Sequence, residues 1–231
     1  MQSKTPAVKD LLKNLIFIFF PREAGGNFLK NLVELGILDS NEQKQFAVQK
    51  IQKRLKSNNE PFFHTETGNN LNTAGFVDKI KNKIDNNTKN FVFCDQYYTF
   101  QRHQKFFNTF NIQNFIIITC LNSNEELNKR RIALKTPTLT DEEIQLNNIF
   151  PTFIKQNYRQ AKIVSIEYKD LLSKQSFLDS LDKINTKLNI SIPKNDCEKL
   201  INFYLTNKRN KKQNRPKRSF RRQKRKRLYL E

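Results

Sequence analysis

NLIFIFFPREAGGNFLKNLVEL, residues Asn14 to Leu35, decides how the chain is read. Asn14 to Phe20 is a continuous apolar, β-branched and aromatic run, the pattern of a strand buried on both faces. Pro21 stops the run and Gly25-Gly26 follow, so a strand ends in a glycine loop. Phe28, Leu29, Leu32, Val33 and Leu35 then recur at three- and four-residue spacing, which predicts a helix from about Asn27 with its free N–H groups facing the loop. Backbone donors and the positive end of a helix dipole converge there, and glycine lets the main chain come close to a phosphate or sulfate. The strict GxxxxGK[ST] pattern is not met, because the first glycine is misplaced and no lysine or hydroxyl follows the last. The same glycines would serve simply to turn the chain from strand to helix. Glu23 also brings a carboxylate into the loop, which repels a phosphate unless it points away.

Outward from this stretch, strands and helices alternate. Gly36 suits a helix C-cap, and Asp39 or Ser40 suits the N-cap of a helix over roughly Asn41 to Lys56. A loop-rich connection containing His64 follows, then a helix from about Ala74 to Ile84, a buried strand at Phe91 to Cys94 and a helix from Phe100 to Phe110. Phe115 to Leu121 reads as the next strand, and Ser123 with Glu126 as a capping box opening a further helix. Thr140 caps another helix, which Pro151 interrupts or divides. A fourth strand, Lys162 to Ile166, leads through EYKDLLS to a helix near Gln175 to Leu188, with Tyr168 packed behind the loop and Asp170 capping a helix. This alternation predicts a three-layer α/β fold with a mainly parallel sheet. Ligands in such sheets sit beyond the carboxyl ends of the strands, where the loop Pro21 to Asn27, Asp95-Gln96, Asn122-Ser123 and the turn after Ile166 should converge.

A chain of 231 residues is one domain of ordinary size with room for an appendage. Cys94, Cys120 and Cys197 form no CxxC pair and read as reduced, buried small hydrophobes. With only His64 and His103 as histidines, no metal site is expected. The N-terminal residues show no hydrophobic signal core and no apolar run has the length of a membrane span, so the expectation is a cytoplasmic or other reducing compartment without a membrane partner.

At this point the chain resembles the sulfotransferase branch of P-loop proteins, over about Leu15 to Leu205. Pro21-Arg22 resembles the family's Pro-Lys/Arg pair, and Gly25, Gly26 and Asn27 resemble its Gly-Thr-Thr if one residue is inserted before the glycine. Phe28-Leu29 matches its aromatic-leucine helix start, and Ile163 to Ser173 resembles its I-x-Y-E-D-L strand-turn, with NISIP (Asn189 to Pro193) further on. The resemblance implies 3′-phosphoadenosine 5′-phosphosulfate as cofactor and sulfuryl transfer to a hydroxyl or amine, with no metal. It places Arg22 on the sulfate or bridging oxygens, Gly25, Gly26 and Asn27 as backbone donors, and Asp95 or His64 as the base. Where the family has a strand-end Arg for the second phosphate this chain has Cys120-Leu121-Asn122, which leaves Ser123, Arg130 and Arg131 for that role. On a helix, those two arginines would equally face solvent or pair with Glu126.

The net charge of +20 is uneven. Lys208, Arg209, Lys211, Lys212, Arg215, Lys217, Arg218, Arg221, Arg222, Lys224, Arg225, Lys226 and Arg227 make thirteen cations in twenty residues without an acid, leaving 29 basic and 21 acidic residues before them. We therefore divide the chain into an α/β domain, 1–207, and a basic tail, 208–231, disordered or extended until it meets a polyanion such as nucleic acid or an anionic polysaccharide. Phe220 and Tyr229 offer rings to stack on bases. A purely solubilising tail or a localisation signal fits the same composition. Two functions follow: a sulfotransferase-like enzyme, or a catalytically inactive P-loop-derived module anchored by its tail in a virion or ribonucleoprotein.

Overall fold

The structure, a computed structural model, describes residues 14–56, 90–96 and 113–210. His64, the helices expected at Ala74 to Ile84 and Phe100 to Phe110, and the tail beyond Asn210 lie outside them. The described elements are β1 (Asn14–Phe20), α1 (Gly26–Ile37), α2 (Asn41–Lys56), β2 (Asn90–Gln96), β3 (Asn114–Thr119), α3 (Asn124–Ala133), α4 (Asp141–Asn157), β4 (Lys162–Glu167), a 3₁₀ turn (Tyr168–Leu171), α5 (Lys174–Leu188) and α6 (Lys194–Asn210).

The strands form one parallel sheet in the order β2-β1-β3-β4. Side chains alternate between its faces. Ile16, Ile18, Val92, Cys94, Ile116, Ile118, Val164 and Ile166 belong to one large core with α1, α2, α5 and α6. The alternate residues of β1 to β3 make a second, aromatic face: Phe17 lies against Phe19 and Phe93, and Phe19 meets Phe115 and, edge-on at 4.9 Å, Phe150 of α4. With helices on both faces the arrangement is three-layer α/β, and full burial of Phe17, Phe19 and Phe115 contributes roughly 1.5–3 kcal/mol each.

Several local expectations give way to tertiary packing. Gly36 does not end α1, whose C-cap is Leu38. It lies within the last turn, where the Ser191 amide donates to its carbonyl and a Cβ would come within 2.6 Å of Ile192 Cγ1 and 3.1 Å of the Ile192 amide. Pro151 leaves α4 unbroken and buried, because Phe150 and Ile154 on either side of it pack into the sheet. The α5 N-cap is Ser173, whose hydroxyl accepts from the Ser176 amide, rather than Asp170 in the 3₁₀ turn. The basic segment is not wholly extended or disordered, since α6 runs through Lys208 and Arg209 to Asn210 and so crosses the boundary placed at 207. Its buried stripe of Cys197, Leu200, Ile201 and Tyr204 supports the helix, and lysine and arginine are good helix formers that extend it.

Gly36 gives a prediction in which propensity and packing oppose each other. Helix propensity favours alanine over glycine by about 1 kcal/mol. The contact with Ile192 includes backbone that cannot swing aside, and overpacking costs about 1–3 kcal/mol. Gly36→Ala should therefore lower the urea midpoint, and a raised midpoint would contradict the packing described.

Candidate functional site

In this strand order β2 and β3 leave β1 in opposite directions, so the crevice of the fold opens beyond the carboxyl ends of β1 and β3. One wall is the segment from Pro21 to Gly25. The Ala24 amide closes a turn on the Pro21 carbonyl at 3.0 Å, with Glu23 left-handed at φ 70°. Gly25 is the N-cap of α1 at φ 86°, and no side chain caps the helix. A side chain at Gly25 would strike the Tyr204 hydroxyl at 2.9 Å, and one at Gly26 would enter the Phe20 ring at 2.1 Å. Close packing thus requires glycine at 26, and the left-handed backbone together with the Tyr204 contact favours it at 25. Tyr204 also stacks on Phe28 at 3.9 Å, which ties α6 to the first turns of α1. Asn27 accepts a 3.0 Å hydrogen bond from the Cys94 thiol, fixing the start of α1 to β2.

The opposite wall is the end of β3. Glu167, at the end of β4, accepts from Thr119 Oγ1 at 2.7 Å, the Asn122 amide at 3.0 Å and Ser123 Oγ at 2.5 Å. Ser123 does stand at the N-cap of α3, but its hydroxyl makes no cap hydrogen bond. The charged acceptor outcompetes a helix amide, so the capping box with Glu126 does not form. Burial, followed by the nearby Glu167 carboxylate, pushes the Cys120 thiol up to about 12, and burial does the same for Cys197. All three cysteines are buried, and none is in a disulfide.

The arginines join the two walls. Arg130 turns inward and donates to the hydroxyls of Tyr204 and Tyr168, while its Nε is buried without a partner. Burial works against its charge, but Tyr204, Tyr168 and Glu23 together raise its pKa further. Glu23, whose side chain is only 13% exposed, also lies 3.8 Å from Arg22 Nε. Arg131 is 3% exposed and forked onto Glu143, Nη1 to Oε2 at 2.9 Å and Nη2 to Oε1 at 3.1 Å. Burial would raise the Glu143 carboxyl, but the Arg131 bonds, the Thr140 amide and the charges of Arg131 and Arg22 hold it below its ordinary value. Three arginines therefore face two carboxylates of the same chain.

Of the residues singled out in the sequence, the fold gathers Arg22, Gly25, Gly26, Asn27, Ser123, Arg130 and Arg131 around this crevice. Asp95 sits in β2 beside Phe19, with its side chain outside the described residues, as His64 is altogether. Arg131 pairs with Glu143, not with Glu126. Glu167, Glu143 and Tyr204 were not singled out as site residues. Glu167 was legible as an acid ending an apolar strand, and Tyr204 as the last of the apolar positions 197, 200, 201 and 204. Among the described residues no three His, Cys, Asp or Glu side chains group as metal ligands, and no helix is long and apolar enough to cross a membrane. Comparison with protein-family models, curated proteins and solved structures found no match.

Chemically, the crevice offers an uncapped helix terminus and the half-exposed Arg22 to an anion, against carboxylates already in place. A carboxyl whose folded pKa is depressed stabilises the fold above its unfolded value, and that contribution is lost as pH falls. Glu143→Gln, which can keep the helix cap, should cost roughly 2–4 kcal/mol at pH 7, the partial exposure of Glu143 taking the figure below that of a fully buried pair. The difference should close as pH drops below the ordinary carboxyl value of 4.5. Urea unfolding at pH 7 and pH 3 measures both, and an equal deficit at the two pH values would refute the assignment.

Proposed function

We propose that this chain is a P-loop-derived, sulfotransferase-like α/β module without transferase activity, held on nucleic acid by its basic C-terminal tail. The observation that carries the loss of catalysis is the inward-turned Glu23. Its carboxylate stands beside Arg22 and within electrostatic reach of Arg130, at the place where a phosphate-binding loop leaves its cations to the ligand. Arg131 and Ser123, the other candidates for a phosphate, are engaged by Glu143 and Glu167.

The distribution of charge supports the second half. Thirteen of the 42 cations lie between Lys208 and Arg227, and α6 runs through the first two of them to Asn210. Each phosphate they neutralise releases counterions, which favours sequence-independent, salt-sensitive binding.

Retained sulfuryl transfer is the second reading, and the uncapped start of α1 beside the half-exposed Arg22 favours it. In that case 3′-phosphoadenosine 5′-phosphosulfate is the donor, Arg22 with the amides of Gly25, Gly26 and Asn27 holds it, and Asp95 or His64 takes the acceptor proton.

Binding of the full chain to a DNA duplex, followed across a range of salt, tests the leading reading. Replacing Arg221, Arg222, Lys224, Arg225, Lys226 and Arg227 by Gln should flatten the slope of log K against log salt by up to about five. Salt-independent affinity, or an unchanged slope in the variant, would overturn it.

A further inference from the structure

The second helix carries a surface that the crevice does not use. In α2, Val48, Ile51 and Leu55 are buried in the core, and Phe46 lies on the opposite side, 69% exposed. Helical spacing sets Lys50 one turn and Lys53 two turns from Phe46, so the ring and the two lysines share a stripe about 10 Å long. Both lysines are exposed, as is Gln49 beside them. From Asn41 to Lys56 there are five basic residues against the single acid Glu42. The same helix packs against α6, the element that runs into the basic tail.

A large ring held in water among lysines fits few partners. A membrane-surface helix needs a broad apolar face, and the apolar face of α2 is spent on the core. Protein interfaces are depleted in lysine around their aromatic anchors. A single-stranded nucleic acid needs both features: phosphates for the lysines and an unpaired base with an open face for the ring.

We propose that the outer stripe of α2 is a single-strand nucleic-acid site in which Phe46 stacks on a base while Lys50 and Lys53 contact the flanking phosphates. This rests on the nucleic-acid reading above and adds to it a preference for unpaired bases. The tail supplies sequence-independent attraction to any polyanion, and α2 discriminates strands that can present a base.

The chain contains no tryptophan, so Phe46→Trp places a single indole reporter in the stripe. In the full chain with this substitution, oligo(dT) should quench the indole saturably, and an abasic deoxyribose-phosphate strand of the same length should bind without quenching. Phe46→Ala should weaken oligo(dT) binding about 5- to 150-fold, the range for losing one aromatic–base stack, and leave affinity for the abasic strand within about twofold. Oligo(dT) binding, seen by anisotropy, with unchanged indole emission would overturn this site and leave the tail reading standing. Binding of neither strand would overturn both. A blue shift with phosphatidylserine vesicles and no quenching by oligo(dT) would make the stripe a membrane contact instead.

Discussion

The close approach of two aromatic rings to Gly25 and Gly26 is the constraint on which the rest of this fold depends. Phe20 lies where a Gly26 side chain would be, and the Tyr204 hydroxyl lies where a Gly25 side chain would be. Those contacts fix how β1 passes into α1 and bring α6, from the far end of the chain, against the first turn of the first helix. Tyr204 stacks on Phe28 and receives a hydrogen bond from Arg130, so the loop, α1, α3 and α6 meet at one packed junction. The glycines that resemble a phosphate cradle are accounted for by packing at Gly26 and by the left-handed backbone and the Tyr204 contact at Gly25.

Charge follows a consistent division. Among the described residues at the carboxyl edge of the sheet, three arginines face internal acids: Arg131 with Glu143, Arg22 with Glu23, and Arg130 within reach of Glu23. Glu167 gathers the polar groups at the end of β3. The unbalanced charge lies elsewhere, on the outer stripe of α2 and in the residues following α6. Low local dielectric strengthens the Arg131–Glu143 pair, whose arginine is buried.

The sheet was legible because strands buried on both faces leave a strong apolar run, as in NLIFIFF, whose strand limits the structure reproduces at Asn14–Phe20. The Thr140 cap was equally plain, since threonine and Glu143 complete a capping box using only neighbouring residues. Ser123 offered the same local pattern and went to Glu167, 44 residues away, because nothing near it in sequence reveals a carboxylate brought in from the neighbouring strand. Gly36 looked like a helix stop for the same reason, with Ile192 beyond local view. The candidate site was half legible. Its glycines and arginines could be named, but whether they face a ligand or a carboxylate of their own chain is decided by long-range packing. Within the loop itself the warnings were Glu23 and the lysine and hydroxyl missing after the last glycine.

The most direct test is to follow the backbone amide resonances of the full chain while adding 3′-phosphoadenosine 5′-phosphate. If the crevice is satisfied from within, shifts should be confined to the basic tail and fade with salt, with Gly25, Gly26 and Asn27 unmoved. Saturable, salt-resistant shifts at those three amides would show a working anion site and contradict the account.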